Sequence, residues 1–344
     1  MKKKTAFLVT LLVLFFMASA TAAQQGSRLP QPAMCKGIPN QEPDTQMLTV
    51  RGHRLAVAEA GDPNGFPVFY AHGNPGSHLE LALLDEDARR FGYRIIAFDR
   101  PGFGQSPFIK PYSLKDFADD LAALADLKKI ARFGLIGWSS GVPPVVATNY
   151  YYPQRVVFTF AISGYTDFSR FPDAKQFMAD KGLPGAKLAQ NHPLAFSMTV
   201  WGVRRVDLYR PDFYLREAVK KMPPFDRRML DSPDSACLFM RTQQEGLRQG
   251  SDGAVQDLKV QWRYWGFEMN QVKNPVKIMQ GEADPFVPQA FGRHLSKNLA
   301  NGQLQLLPGK GHLLPFSSDF REEMFIQARQ LQKMSLSKEE NNKR

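Results

Sequence analysis

Short apolar runs, each closed by a turn marked with glycine or proline, recur along the chain from residue 47 onward. Met47–Val50, the alternating Leu55–Glu59, Pro67–Ala71, Arg94–Phe98, Phe133–Trp138, Val156–Ile162, Val276–Gln280 and Leu304–Leu307 read as strands. Between them apolar positions fall at helical spacing. This holds for His78–Phe91, for a segment from the capping-box-like pair Ser113 and Asp116 to about Leu127, and for one with Pro143 and Pro144 in its first turn. Gln289–Leu299 and about Asp319–Met334 complete the set. Strand, turn and helix in alternation predict an α/β chain: a mostly parallel sheet with helices on both faces.

The rhythm breaks around Tyr165. Until about Asn274 no strand pattern recurs, and aromatic, Met- and Arg-bearing helical stretches are interrupted at Pro172, Pro184, Pro193, Pro211, Pro223, Pro224 and Pro233. This predicts an inserted helical lid over residues 165–274, between a first core part, 47–164, and a second, 275–334. A Gln-, Pro- and Gly-rich arm, 24–46, precedes the core, and a polar tail, 335–344, follows it. Ahead of the arm, Lys2, Lys3 and Lys4 lead into an apolar run from Ala6 to Met17 and then Ala18-Ser19-Ala20-Thr21-Ala22-Ala23. That layout predicts a signal peptide over residues 1–23, and the run is short for a membrane anchor. The expected mature chain is exported, to the periplasm or beyond the cell, with no stable membrane span.

Charge narrows the partners. The formal balance is +11, and it stays basic, at +8, once the three signal lysines are removed. Apart from a short mixed tail at Lys338–Arg344 the basic residues are scattered, so nucleic-acid binding is not indicated and a small-molecule partner is expected. Cys35 and Cys237 are too few for a disulfide scaffold or a tetrahedral metal site, and whether they pair is left open by sequence. His53, His78, His192 and His294 have no carboxylate or histidine neighbour at ligand spacing, which points to surface or packing roles. No metal and no cofactor is expected.

Candidate chemistry collects where strands end. Phe133–Trp138 runs into Gly137-Trp138-Ser139-Ser140-Gly141, a G-x-S-x-G pattern that places a serine hydroxyl on a sharp strand-to-helix turn. Such a hydroxyl needs a base, and the base needs a group that holds its tautomer. Ser139, Asp284 and His312 supply these roles in the order Ser, Asp, His, each after a predicted strand. Asp167 is the alternative acid. The loop His72-Gly73-Asn74-Pro75-Gly76-Ser77 can turn a backbone N–H toward a cleft, and His72 itself reads as a loop-stabilising residue.

These pieces, with Asp99-Arg100-Pro101-Gly102-Phe103-Gly104-Gln105-Ser106, Gly281-Glu282-Ala283-Asp284 and Gly311-His312, resemble the lid-bearing α/β-hydrolase-fold enzymes with an H-G-x-P loop. Gly246–Gly250 through Trp265–Phe267 is similar to the end of the lid in many bacterial members. The resemblance implies Ser139 as nucleophile, His312 as general base then acid, Asp284 as its orienter, and the backbone N–H groups of Asn74 and Ser140 as the oxyanion hole. It implies hydrolysis of a small or medium ester or lactone through an acyl-enzyme. Amide or peptide hydrolysis, which needs an acidic anchor for the substrate amine, and a ligand-binding protein without turnover are the alternatives. Two departures from the pattern stand out. Val142 occupies a position where relatives often have glycine, and relatives that open epoxides or cleave carbon–halogen bonds carry aspartate where this chain has Ser139. Proline-releasing aminopeptidases usually have glycine where Asn74 stands.

Overall fold

The computed structural model describes residues 32–38 and 43–342. The signal-peptide segment lies outside them, as does part of the arm. Eight strands form one sheet: β1 (Thr45–Val50), β2 (His53–Gly61), β3 (Phe66–Ala71), β4 (Tyr93–Phe98), β5 (Phe133–Trp138), β6 (Val156–Ile162), β7 (Val276–Gly281) and β8 (Gly302–Leu307). Their spatial order is β1-β2-β4-β3-β5-β6-β7-β8. β1 and β2 pair antiparallel, as do β2 and β4, and every later pair is parallel. Parallel strands covered on both faces must be apolar throughout, and β5 and β6 are buried at every position.

Helices α1 (Asp85–Phe91), α2 (Leu114–Leu127), α3 (Val142–Tyr151), α11 (Gln289–Asn298) and α12 (Ser318–Asn342) belong to the core. α2 opens on the expected capping box, Ser113 with Asp116. The single helix expected over His78–Phe91 is instead a 3-10 turn, His78–Leu83, followed by α1. The physical reason is that Glu80 is drawn inward, where it accepts from Tyr70 and from the amide of Gly73. Three acidic residues, Asp85, Glu86 and Asp87, then start a fresh helix at its favourable end. α12 also runs past Met334 to Asn342, because the segment contains no glycine or proline to stop it.

Between β6 and β7 lie α4 (Ala174–Asp180), α5 (Gly185–Asn191), α6 (Pro193–Tyr209), α7 (Pro211–Lys220), α8 (Pro224–Met229), α9 (Pro233–Gly246) and α10 (Asp252–Gln261). Several open with proline in the first turn, where its missing N–H costs nothing. A disulfide joins Cys35 to Cys237 on α9, closing a loop with a sequence separation of 202. Among the described residues no helix is long and apolar enough to cross a membrane.

Candidate active site

The end of β5 sets the site. Ser139 has φ +55°, the left-handed region that a non-glycine residue rarely enters, and this turn faces the side chain away from the strand it ends. The turn closes only because Gly141 carries no side chain: a Cβ there would stand 1.9 Å from the carbonyl oxygen of Ala71 on β3. Val142 follows at full burial and packs with Val146, Ala161 and Ile278, so the departure at this position adds core contact behind the turn.

His312 comes from the loop after β8. Its Nδ1 lies 2.7 Å from Oδ2 of Asp284, from the loop after β7. The other oxygen, Oδ1, accepts from the amides of Phe286 and Val287, both at 2.8 Å, which fixes the carboxylate and aims Oδ2 at the ring. The imidazole sits between Trp138 and Phe286, with ring centroids 5.5 and 5.4 Å away, and the Trp138 indole N–H donates to the His312 carbonyl. Burial favours the neutral ring. The Asp284 charge and hydrogen bond, aided by Asp226 and Glu80, outweigh it and hold the His312 pKa above its ordinary value.

Ser139, His312, Gly73, Asn74 and Pro75 line one cavity of about 470 Å³. Its remaining wall is largely apolar and largely from the insertion, including Met178, Leu183, Phe196, Met222, Leu258 and Trp262. Ser140 is buried beside it, and its carbonyl accepts from Gln261 of α10. Asp167 is elsewhere in the network: its carboxylate accepts from Ser169 and from the amide of Trp265.

The loop after β3 is held from beneath and above. His72 is buried, with Nδ1 2.8 Å from the Gly73 carbonyl and Nε2 accepting from the amide of Arg100. The Arg100 guanidinium donates to the carbonyls of His72 and Gly73 and pairs with Asp257 of α10, which also accepts from the Asn74 side chain at 2.8 Å. From below, burial pushes the pKa of Glu80 up to about 7, against its hydrogen bonds from Tyr70 and Gly73.

Sequence reasoning missed three of these groups. Asp226 of α8 is fully buried and accepts from the amides of His312 and Leu313 at 2.9 and 3.0 Å, so the insertion holds the histidine loop directly. A Cβ on Gly311 would come 2.3 Å from that carboxylate. Glu80 and Asp257 likewise act through contacts that join distant stretches of chain, and nothing in their local sequence signals it. Two histidines need correction: His53 and His78 do have carboxylate partners, Asp120 and Asp99, each at 2.9 Å. The packing of α2 beside the β1–β2 hairpin brings Asp120 to His53, and the turn after β4 brings Asp99 under His78, where it also accepts from the amides of His78 and Gln105. Asp99, His78 and Glu245 stand within 4.8 Å of one another, yet His78 Nε2 already meets Thr45 and Glu245 pairs with Arg248.

A strand-end serine, a histidine–aspartate pair and a mixed sheet in this order define one architecture, and comparison with known proteins agrees. The profile of the alpha/beta hydrolase family matches residues 68–325, and the chain belongs to that family. The 2-hydroxy-6-oxononadienedioate/2-hydroxy-6-oxononatrienedioate hydrolase of Burkholderia vietnamiensis is 29% identical over 229 residues, covering 64% of this chain and 70% of that protein. Epoxide hydrolase B of Mycobacterium tuberculosis is 26% identical over 179 residues, and the chain spans about half of its length, 48%. A relative from Mycoplasma pneumoniae is matched over only 35% of its length. In fold, an esterase from Exiguobacterium antarcticum superposes with a TM-score of 0.61 at 17% identity, covering 84% of this chain and all of that one.

Proposed function

We propose that this protein is an exported serine hydrolase that cleaves a small or medium ester or lactone. The observation that carries the reading is Ser139, on a left-handed turn, facing the same cavity as a His312 held by Asp284. In the proposed cycle His312 takes the Ser139 proton as Oγ attacks the substrate carbonyl, and the alcohol leaves with that proton. Water, deprotonated by the same imidazole, then attacks the acyl carbon, and the acid is released as His312 returns the proton to Ser139 Oγ. Asp284 stabilises the imidazolium formed in each half. The amides of Asn74 and Ser140 would receive the oxyanion, and because the Gly73 N–H is committed to Glu80, Asn74 is the next donor the loop can offer.

The cavity favours a neutral substrate. Its lining among the described residues includes no lysine or arginine and one carboxyl group, Glu80, which the core rather than the lid supplies and which Tyr70 and Gly73 already engage. An amine-anchoring peptidase would need a carboxylate with a free face, so the ester reading is preferred. The insertion acts as a lid whose apolar wall shapes the acyl pocket. Export is supported by the amino-terminal charge and apolar pattern together with the Cys35–Cys237 disulfide, a bond that oxidising compartments preserve.

Turnover of p-nitrophenyl esters of increasing chain length and of simple lactones, beside amino-acid p-nitroanilides, tests the reading. Ester or lactone turnover that disappears in Ser139→Ala is expected. Faster anilide than ester turnover would move the assignment to a peptidase.

A further inference from the structure

Among the described residues one face of the insertion is left exposed. On α6, Leu194, Met198 and Trp201 recur at about one-turn intervals and Tyr209 follows about two turns later on the same side, forming a single stripe with exposures of 81, 54, 47 and 37%. Phe213 on α7 continues it at 45%. Elsewhere on α6 Phe196, Val206 and Leu208 are buried, so the helix carries both packed and exposed apolar residues. With 17 residues the helix is about 25 Å long.

Cations frame the stripe. The Arg205 guanidinium lies over the rings of Trp201 and Tyr209, 5.7 and 4.3 Å from their centroids, and Arg216 lies over Phe213 at 5.6 Å. Of the neighbouring acids, Asp207 is buried, Asp212 accepts from the amide of Ala33, and Glu217 pairs closely with Lys220 at 2.6 Å and only loosely with Arg216 at 3.9 Å. The same helix reaches the cavity through Phe196 and Thr199.

We propose that this stripe docks the protein on an anionic lipid surface, placing the Thr199 side of the cavity rim near the headgroups. Leucine and methionine supply apolar insertion, tryptophan and tyrosine suit the headgroup boundary, and arginine pairs with phosphate. A second copy fits less well, because an isologous contact through the stripe would bring the arginines of two chains together. The inference concerns binding alone and does not rest on the reactivity of Ser139.

The test exploits the tryptophans. Trp138, Trp262 and Trp265 are buried at 7% exposure or less, so Trp201 alone reports the surface. The secreted chain, with its amino terminus read by mass spectrometry and identical in every variant, is titrated with phosphatidylglycerol vesicles and with phosphatidylcholine vesicles. The expected result is a blue shift with the anionic vesicles, quenching by brominated lipid, and loss of both signals in Trp201→Phe. Partitioning measured by sedimentation should persist in Trp201→Phe and fall about tenfold or more in Leu194→Ser/Met198→Ser and in Arg205→Glu/Arg216→Glu. No vesicle association would overturn the proposal, as would association equal on both lipids or unaffected by the two double variants. A stripe-dependent dimer that ignores lipid would assign the face to a second copy instead.

Discussion

The strand ends of the sheet and the helical insertion contribute to the same cavity in different ways. In the proposed mechanism the sheet supplies the reacting groups: Ser139, Asp284 and His312 each stand where a strand stops, and the first two are fixed by short-range devices, the left-handed turn at Ser139 and the two amides on Asp284. The insertion supplies walls and restraints. Met178, Phe196 and Trp262 shape the space, Asp257 steadies the Arg100 and Asn74 loop, and Asp226 grips the histidine loop. A region that looks like a cover is therefore also part of the frame that keeps His312 in place, and if His312 is the base, as proposed, loss of these contacts should disturb chemistry as well as access.

The largest expected effect that separates the two regions comes from the sheet. Asp284→Asn should lower kcat by about 10³- to 10⁴-fold, since the imidazole loses the partner that fixes its tautomer and stabilises its charge. It should also move the acid limb of the rate profile. In the proposed mechanism His312 acts as a base only when neutral, and Asp284 raises its pKa, so activity should fall as pH drops through that raised value. Without the charge the midpoint should shift to lower pH, which rate–pH profiles over pH 4–9 would check. An unchanged midpoint would mean that another group sets the limb.

Asp226→Asn probes the insertion's grip and should cost less, about tenfold in kcat, because one side-chain oxygen still accepts an amide while the other becomes a donor. Asp226 also raises the His312 pKa, so the acid limb should move down here too, by less than in Asp284→Asn. Gly311→Ala should resemble it, since the added methyl meets the same carboxylate. If both variants raised KM alone, the insertion would be a wall and nothing more.

The division also marks what sequence can show. Each strand, the capping box on α2 and the Ser, Asp, His order could be read because apolar alternation and glycine-rich turns encode them locally. Asp226 could not, since its role exists only after a helix of the insertion folds back on a loop 86 positions later in the chain. His78 and Asp99 meet for the same kind of reason, through the β3 and β4 pairing that brings their turns together. The split of His78–Phe91 into a 3-10 turn and a helix depended on where Glu80 is pulled, which helical spacing does not record.

Two smaller effects sharpen the comparison further. Reducing the Cys35–Cys237 bond should lower unfolding stability by about 2–5 kcal/mol, because the long loop it closes is released in the unfolded chain, and denaturant curves with and without reductant would measure this. Glu80→Gln should change kcat only several-fold, since glutamine keeps an acceptor for the Gly73 amide, while any inflection near pH 7 that belongs to Glu80 disappears.

In the proposed function Ser139 is an activated nucleophile. Peptide mapping by mass spectrometry after reaction of the native protein with a fluorophosphonate addresses it most directly. A single adduct on Ser139 is expected, formed much more slowly in His312→Ala and absent in Ser139→Ala. A folded protein that takes up no adduct, or takes it up at another serine at the wild-type rate in both variants, would contradict it.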